Sequence, residues 1–120
     1  MLLVGTKKGA FVVDGDATRA VWTIRGPLCE GWPIHDINHD PATGALYAGG
    51  GSPWYGPGVF RSDDHGRTWT VSSAGITYGD DGPEISAVWN VTPAHGSIYA
   101  GVGTAGLFRS DDGGATWGHV

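Results

Sequence analysis

Cationic side chains are scarce: seven Lys and Arg stand against twelve Asp and Glu, a formal net charge of −5. The longest basic run is Lys7-Lys8, too short to track a phosphate backbone, so nucleic acid is not an expected partner. Cysteine is nearly absent as well. Cys29 alone can form neither an internal disulfide nor a thiolate zinc site, a usage that fits a reducing compartment. Apolar residues never continue for the roughly 20 positions a membrane-spanning helix needs. The opening Met1-Leu2-Leu3-Val4 lacks the basic flank and the length of a secretion signal. A cytoplasmic location and no membrane partner are the expectation. Phosphate-cradling loops, His-Glu-x-x-His and Gly-x-Ser-x-Gly are also missing, so neither cofactor nor metal ion is implied.

Glycine, by contrast, is abundant. It fills 22 of 120 positions, more than twice the usual share of about 7%, and it is scattered at turn spacing, which points to many short strands. The stretch Arg61-Ser62-Asp63-Asp64-His65-Gly66-Arg67-Thr68-Trp69 returns 48 residues later as Arg109-Ser110-Asp111-Asp112-Gly113-Gly114-Ala115-Thr116-Trp117. Each copy follows an apolar pair and ends in Thr-Trp, so it reads as strand, tight turn, strand. Within each turn Asp63 or Asp111 is expected to accept backbone N–H groups, while Gly66 or Gly114 supplies a left-handed conformation. Ser62, Thr68 and Trp69, and likewise Ser110, Thr116 and Trp117, complete the two clamps. A worn third copy lies upstream, with Asp14-Gly15-Asp16 in the turn and Trp22 in the part of Trp117.

Three units follow, at 1–30, 31–78 and 79–120, with three, four and four expected strands. The first unit lacks the strand that Ile34 to Asp40 and Ile85 to Val91 supply to the others. The fold expected is therefore all-β: antiparallel four-stranded blades of an incomplete β-propeller, 11 strands in about 2.75 blades. Residues 1–120 read as the N-terminal piece of a larger ring, with the remaining blades, or self-association through open strand edges, as partners.

The pair Ser62-to-Trp69 and Ser110-to-Trp117 resembles the Asp-box, or BNR repeat, of sialidase-like β-propellers. The opening Leu2-Leu3-Val4-Gly5-Thr6-Lys7-Lys8-Gly9-Ala10-Phe11 is similar to the start of bacterial BNR-repeat glycosyl-hydrolase-like proteins. The resemblance covers essentially the whole chain and implies a glycan-binding or glycosidase-related protein, of exo-α-sialidase type when complete. The alternative it leaves open is a protein-interaction scaffold of the assembly-factor or sortilin-like type. Sialidases use a tyrosine nucleophile with a glutamate, an aspartate acid/base and three arginines. The Phe/Tyr-Arg-Ile-Pro motif that carries the first arginine is missing, and Arg19, Arg25, Arg61 and Arg109 match none of the three. No catalytic residue is transferred, and the chain alone is not expected to hydrolyse a sialoside.

Strand order puts the clamps at one end of the units and gathers the unusual side chains at the other. Trp32, Trp54, Tyr55, Tyr78, Asp80 and Glu84 form the candidate ligand-binding face, aromatic surfaces beside carboxylates that suit a saccharide. Trp54 and Tyr55 lie in a four-residue insertion absent from the third unit, so their removal is expected to cost little stability. His35 and His39 would stand roughly 13 Å apart on a strand, too far to share a metal. Asp80-Asp81-Gly82-Pro83-Glu84 reads as a solvated turn, with calcium as the alternative.

Overall fold

The computed structural model describes residues 1–120, which form eleven strands in three antiparallel sheets. Sheet 1 contains β1 (Leu2–Thr6), β2 (Gly9–Gly15) and β3 (Trp22–Leu28). Sheet 2 contains β4 (Ile34–His39), β5 (Leu46–Ser52), β6 (Gly56–Ser62) and β7 (Thr70–Ser72). Sheet 3 contains β8 (Ala87–Ala94), β9 (Ser97–Gly103), β10 (Gly106–Ser110) and β11 (Gly118–His119). In every sheet the strands pair in chain order, the outcome expected when short strands are joined by glycine-rich turns. No helix is long and apolar enough to cross a membrane.

Among the differences from the sequence reading, two concern hairpins. The strand expected at Ile85 to Val91 starts at Ala87 and continues to Ala94. It continues because His95 (φ 53°) and Gly96 (φ 82°) form a two-residue turn with both residues left-handed, which keeps Thr92, Pro93 and Ala94 paired to β9. Pro93 is tolerated because the Val91 N–H, two residues earlier on the same side, already points away from β9. The insertion around Trp54 does not form a longer loop. It lengthens the hairpin, with Gly50, Gly51 and Ser52 of β5 opposite Gly58, Pro57 and Gly56 of β6, and leaves a three-residue tip at Pro53-Trp54-Tyr55.

Alternation along the strands divides the apolar side chains between two layers. Ala10, Ile34, Ile37, Ala48 and Phe60 form a core between sheets 1 and 2, flanked by Leu3, Leu28, Trp32 and Trp69. A larger core between sheets 2 and 3 has twelve members, among them Tyr47, Val88, Val91, Ile98, Phe108 and Trp117. Gly49 permits this second contact. A Cβ there would lie 2.7 Å from Val88 Cγ1, so only glycine lets the sheets come so close. β4 also bonds to its neighbour: Asp36 Oδ2 accepts the Val91 N–H (2.9 Å) and Asn38 Nδ2 donates to the Val91 carbonyl (2.7 Å).

Candidate functional site

The two repeated turns are built alike. Ser62 Oγ accepts the Gly66 N–H (2.8 Å) and donates to Asp64 Oδ1 (2.8 Å), and that same oxygen accepts the Thr68 N–H (2.8 Å). Ser110, Asp112, Gly114 and Thr116 repeat the pattern. Each tryptophan then closes its turn, Trp69 Nε1 donating to the Gly66 carbonyl (2.9 Å) and Trp117 Nε1 to the Gly114 carbonyl (3.2 Å). Gly66 (φ 84°) and Gly114 (φ 89°) take the left-handed conformation. Bonds from the threonine hydroxyl and N–H, with the serine, hold the carboxyls of Asp64 and Asp112 down at about 2.

The clamping carboxylates are thus Asp64 and Asp112, not the expected Asp63 and Asp111. Asp63 and Asp111 are the first residues past β6 and β10, and their side chains reach back to the strand arginines instead of into the turn. Asp63 pairs with Arg61 (2.9 Å), and Asp111 with Arg109 (2.7 Å) and Ser97 Oγ (2.6 Å).

The first unit keeps the turn with other residues. Asp16 Oδ1 accepts the N–H groups of Thr18 (3.1 Å) and Ala20 (3.0 Å), and Trp22 Nε1 donates to the carbonyl of Arg19 (3.0 Å). Arg19 occupies the glycine position of the other turns at φ 56°.

The sequence reading missed that these turns also join the sheets. Arg25 Nη2 donates to the His65 carbonyl (2.7 Å), and Arg61 Nη1 to the Gly113 carbonyl (3.0 Å). His65 and Gly113 are corresponding residues of the two turns, so each turn offers one carbonyl to an arginine of the preceding sheet. Arg61 stands in the Phe-Arg-Ser that recurs at 60–62 and 108–110, whereas Arg25, in Ile24-Arg25-Gly26, carries no repeated signal.

At the opposite end the expected face divides into separate parts. Trp32 stacks on Tyr55 (centroids 4.6 Å apart, 23° between planes) and meets Phe60 edge-on (5.1 Å), so both rings of the stack pack the hairpin. Tyr78 does the same work in sheet 3. Its hydroxyl donates to the carbonyls of Thr104 (2.9 Å) and Ala105 (3.0 Å), and its ring lies against Phe108. Trp54 alone stands free, 90% exposed. Asp80 and Glu84 line a shallow cavity of about 340 Å3 with Pro53 and Gly56. No group of three His, Cys, Asp or Glu side chains comes close enough to hold a metal ion.

A second cleft at this end, about 430 Å3, contains none of the six residues of the candidate ligand-binding face. It is lined by Lys7, Pro33, His35, Ser52, Pro53 and Trp89, among others. His35 and Trp89 reach it by the same irregularity: β4 and β8 each carry a bulge, between Ile34 and Asp36 and between Val88 and Asn90. A bulge re-aims the extra side chain, and here the two re-aimed rings stack, centroids 4.2 Å apart. His35 Nε2 lies 3.1 Å from the Gly51 carbonyl, a bond that requires the proton on Nε2 and fixes the ring. Trp89 stays 53% exposed. Aromatic surface, one ammonium group and hydroxyls thus converge at the mouth of the gap between sheets 2 and 3. Neither a protein-family model nor a curated protein matches the chain.

Proposed function

We propose that the chain is part of a sialidase-like, BNR-repeat β-propeller, each sheet serving as one blade, and that it binds glycans at the end opposite the Asp-boxes. Repeated meander sheets, the face-to-face cores and two fully bonded Ser-x-Asp-x-Gly-x-Thr-Trp turns support the architecture. The binding reading rests on one observation: Trp89 is half-exposed at a cleft of about 430 Å3 while its ring is held against His35. That volume falls within the ~300–1,000 Å3 of small-molecule sites. A sugar ring places its C–H face on the indole, and Lys7 supplies a cation for a hydroxyl or carboxylate. The reading is one of binding and assigns no catalytic residue. A glycan array followed by isotherms on Trp89→Ala tests it. Retention of saccharides by the parent chain and a loss of at least tenfold in affinity in the variant are expected. An array with no retained saccharide, together with capture of a protein partner, would make the chain an interaction scaffold instead.

A further inference from the structure

The chain makes the same sheet-to-sheet contact twice and leaves both halves of a third contact bare. In the contact between sheets 2 and 3, sheet 2 presents Tyr47, Gly49, Val59 and Arg61. Arg61 lies over the Tyr47 ring (5.7 Å), is held by Asp63, and donates onward to the Gly113 carbonyl of sheet 3. Sheet 3 carries the corresponding set on its free side. Arg109 lies over the Tyr99 ring (5.9 Å) and is held by Asp111, with Leu107 and Gly101 in the places of Val59 and Gly49. Arg109 has no onward carbonyl, its side chain is 49% exposed, and Leu107 is 42% exposed.

Sheet 1 presents the complementary half. The pairs Leu2↔Val13, Val4↔Phe11 and Val13↔Ile24 place these side chains on one face, opposite the Val12 and Ala10 that pack on sheet 2. Phe11 corresponds to Phe60 and Phe108, each of which packs against the preceding sheet. No other sheet of residues 1–120 covers this face, and Leu2 (56%), Val4 (41%) and Ile24 (68%) are exposed on it. In the exposed β2–β3 turn Thr18 stands one residue before Arg19, as His65 and Gly113 stand before Gly66 and Gly114, so its carbonyl is in the place of those that accept from Arg25 and Arg61.

The geometry points to a second copy of this chain as the occupant: the free face of sheet 3 docks on the free face of sheet 1 of the next copy, continuing the internal stacking head to tail. Such a contact is heterologous, joining two different faces, and two copies would close a six-sheet ring if the rotation permits.

Sedimentation of the purified 120 residues tests this with two variants. One, Leu107→Glu/Arg109→Glu, blocks the sheet 3 face, and the other, Val4→Glu/Ile24→Glu, blocks the sheet 1 face. The parent chain is expected to sediment as a dimer or longer, and each variant alone as a monomer. An equimolar mixture of the variants should recover a dimer, because each contributes the face the other has lost. A monomeric parent chain overturns the proposal, with a sheet of a different polypeptide as the occupant. So does continued association of either variant alone, which would mean pairing through strand edges, or a mixture that stays monomeric. Should the second variant fail to fold by circular dichroism, Ile24→Lys alone replaces it.

Discussion

Which of two adjacent aspartates closes the repeated turn decides how the protein responds to acid. Asp64 and Asp112 titrate near 2 in the folded chain, below the 3.8 of an unperturbed aspartate. The unfolded state therefore binds their protons first. The stability they contribute is complete above about pH 4 and is lost as pH falls towards about 2. Melting temperature followed from pH 6 to pH 2 should drop across that window, and Asp64→Asn/Asp112→Asn should flatten the drop. Ser110 carries the more deeply buried bond. Ser110→Ala leaves the buried Gly114 N–H without an acceptor, and denaturant unfolding should show a loss of about 1–3 kcal/mol. Arg19 offers the opposite change. It is held left-handed where the other turns have glycine, so Arg19→Gly should gain about 1 kcal/mol in the same measurement. The repeated turn was legible in the sequence from its spacing, but its acceptor was not. Two neighbouring carboxylates have equal chemistry on paper, and only the conformation of the turn separates them.

At the scale of the hairpin, the residues of the insertion have different roles. Tyr55 completes a stack on Trp32, whereas Trp54 touches little. Tyr55→Ala should lower stability by about 0.5–1.5 kcal/mol, the worth of an aromatic pair beyond its buried area. Trp54→Ala should leave the melting curve unchanged. Equal melting curves for the two variants would mean that the stack does not hold the hairpin tip. The strand count and the pairing order could be read from turn residues and repeat length. The cleft could not, because it depends on two bulges. A bulge shifts register by one residue without any change in composition, so nothing in His35-Asp36 or Trp89-Asn90 announces that these side chains meet.

The three sheets are unequally held. The core between sheets 2 and 3 has twelve buried members and the one between sheets 1 and 2 has five. Opening sheet 1 thus exposes much less apolar surface than opening sheet 3, and its free energy of opening should be the smaller. Amide hydrogen exchange should show β1 to β3 exchanging faster than β8 and β9. Uniform protection across all three sheets would contradict this ordering. Meanwhile the arginine contacts have a direction in time as well as in space. Each donor is made before its acceptor, Arg25 before the His65 carbonyl and Arg61 before the Gly113 carbonyl. At roughly 5–20 residues per second of synthesis, nascent sheets 1 and 2 each wait some seconds with a guanidinium uncapped. The chain therefore consolidates from its N-terminus, one turn late at each step, and ribosome-stalled chains should gain protease resistance in sheet 1 only once residues beyond Trp69 have emerged.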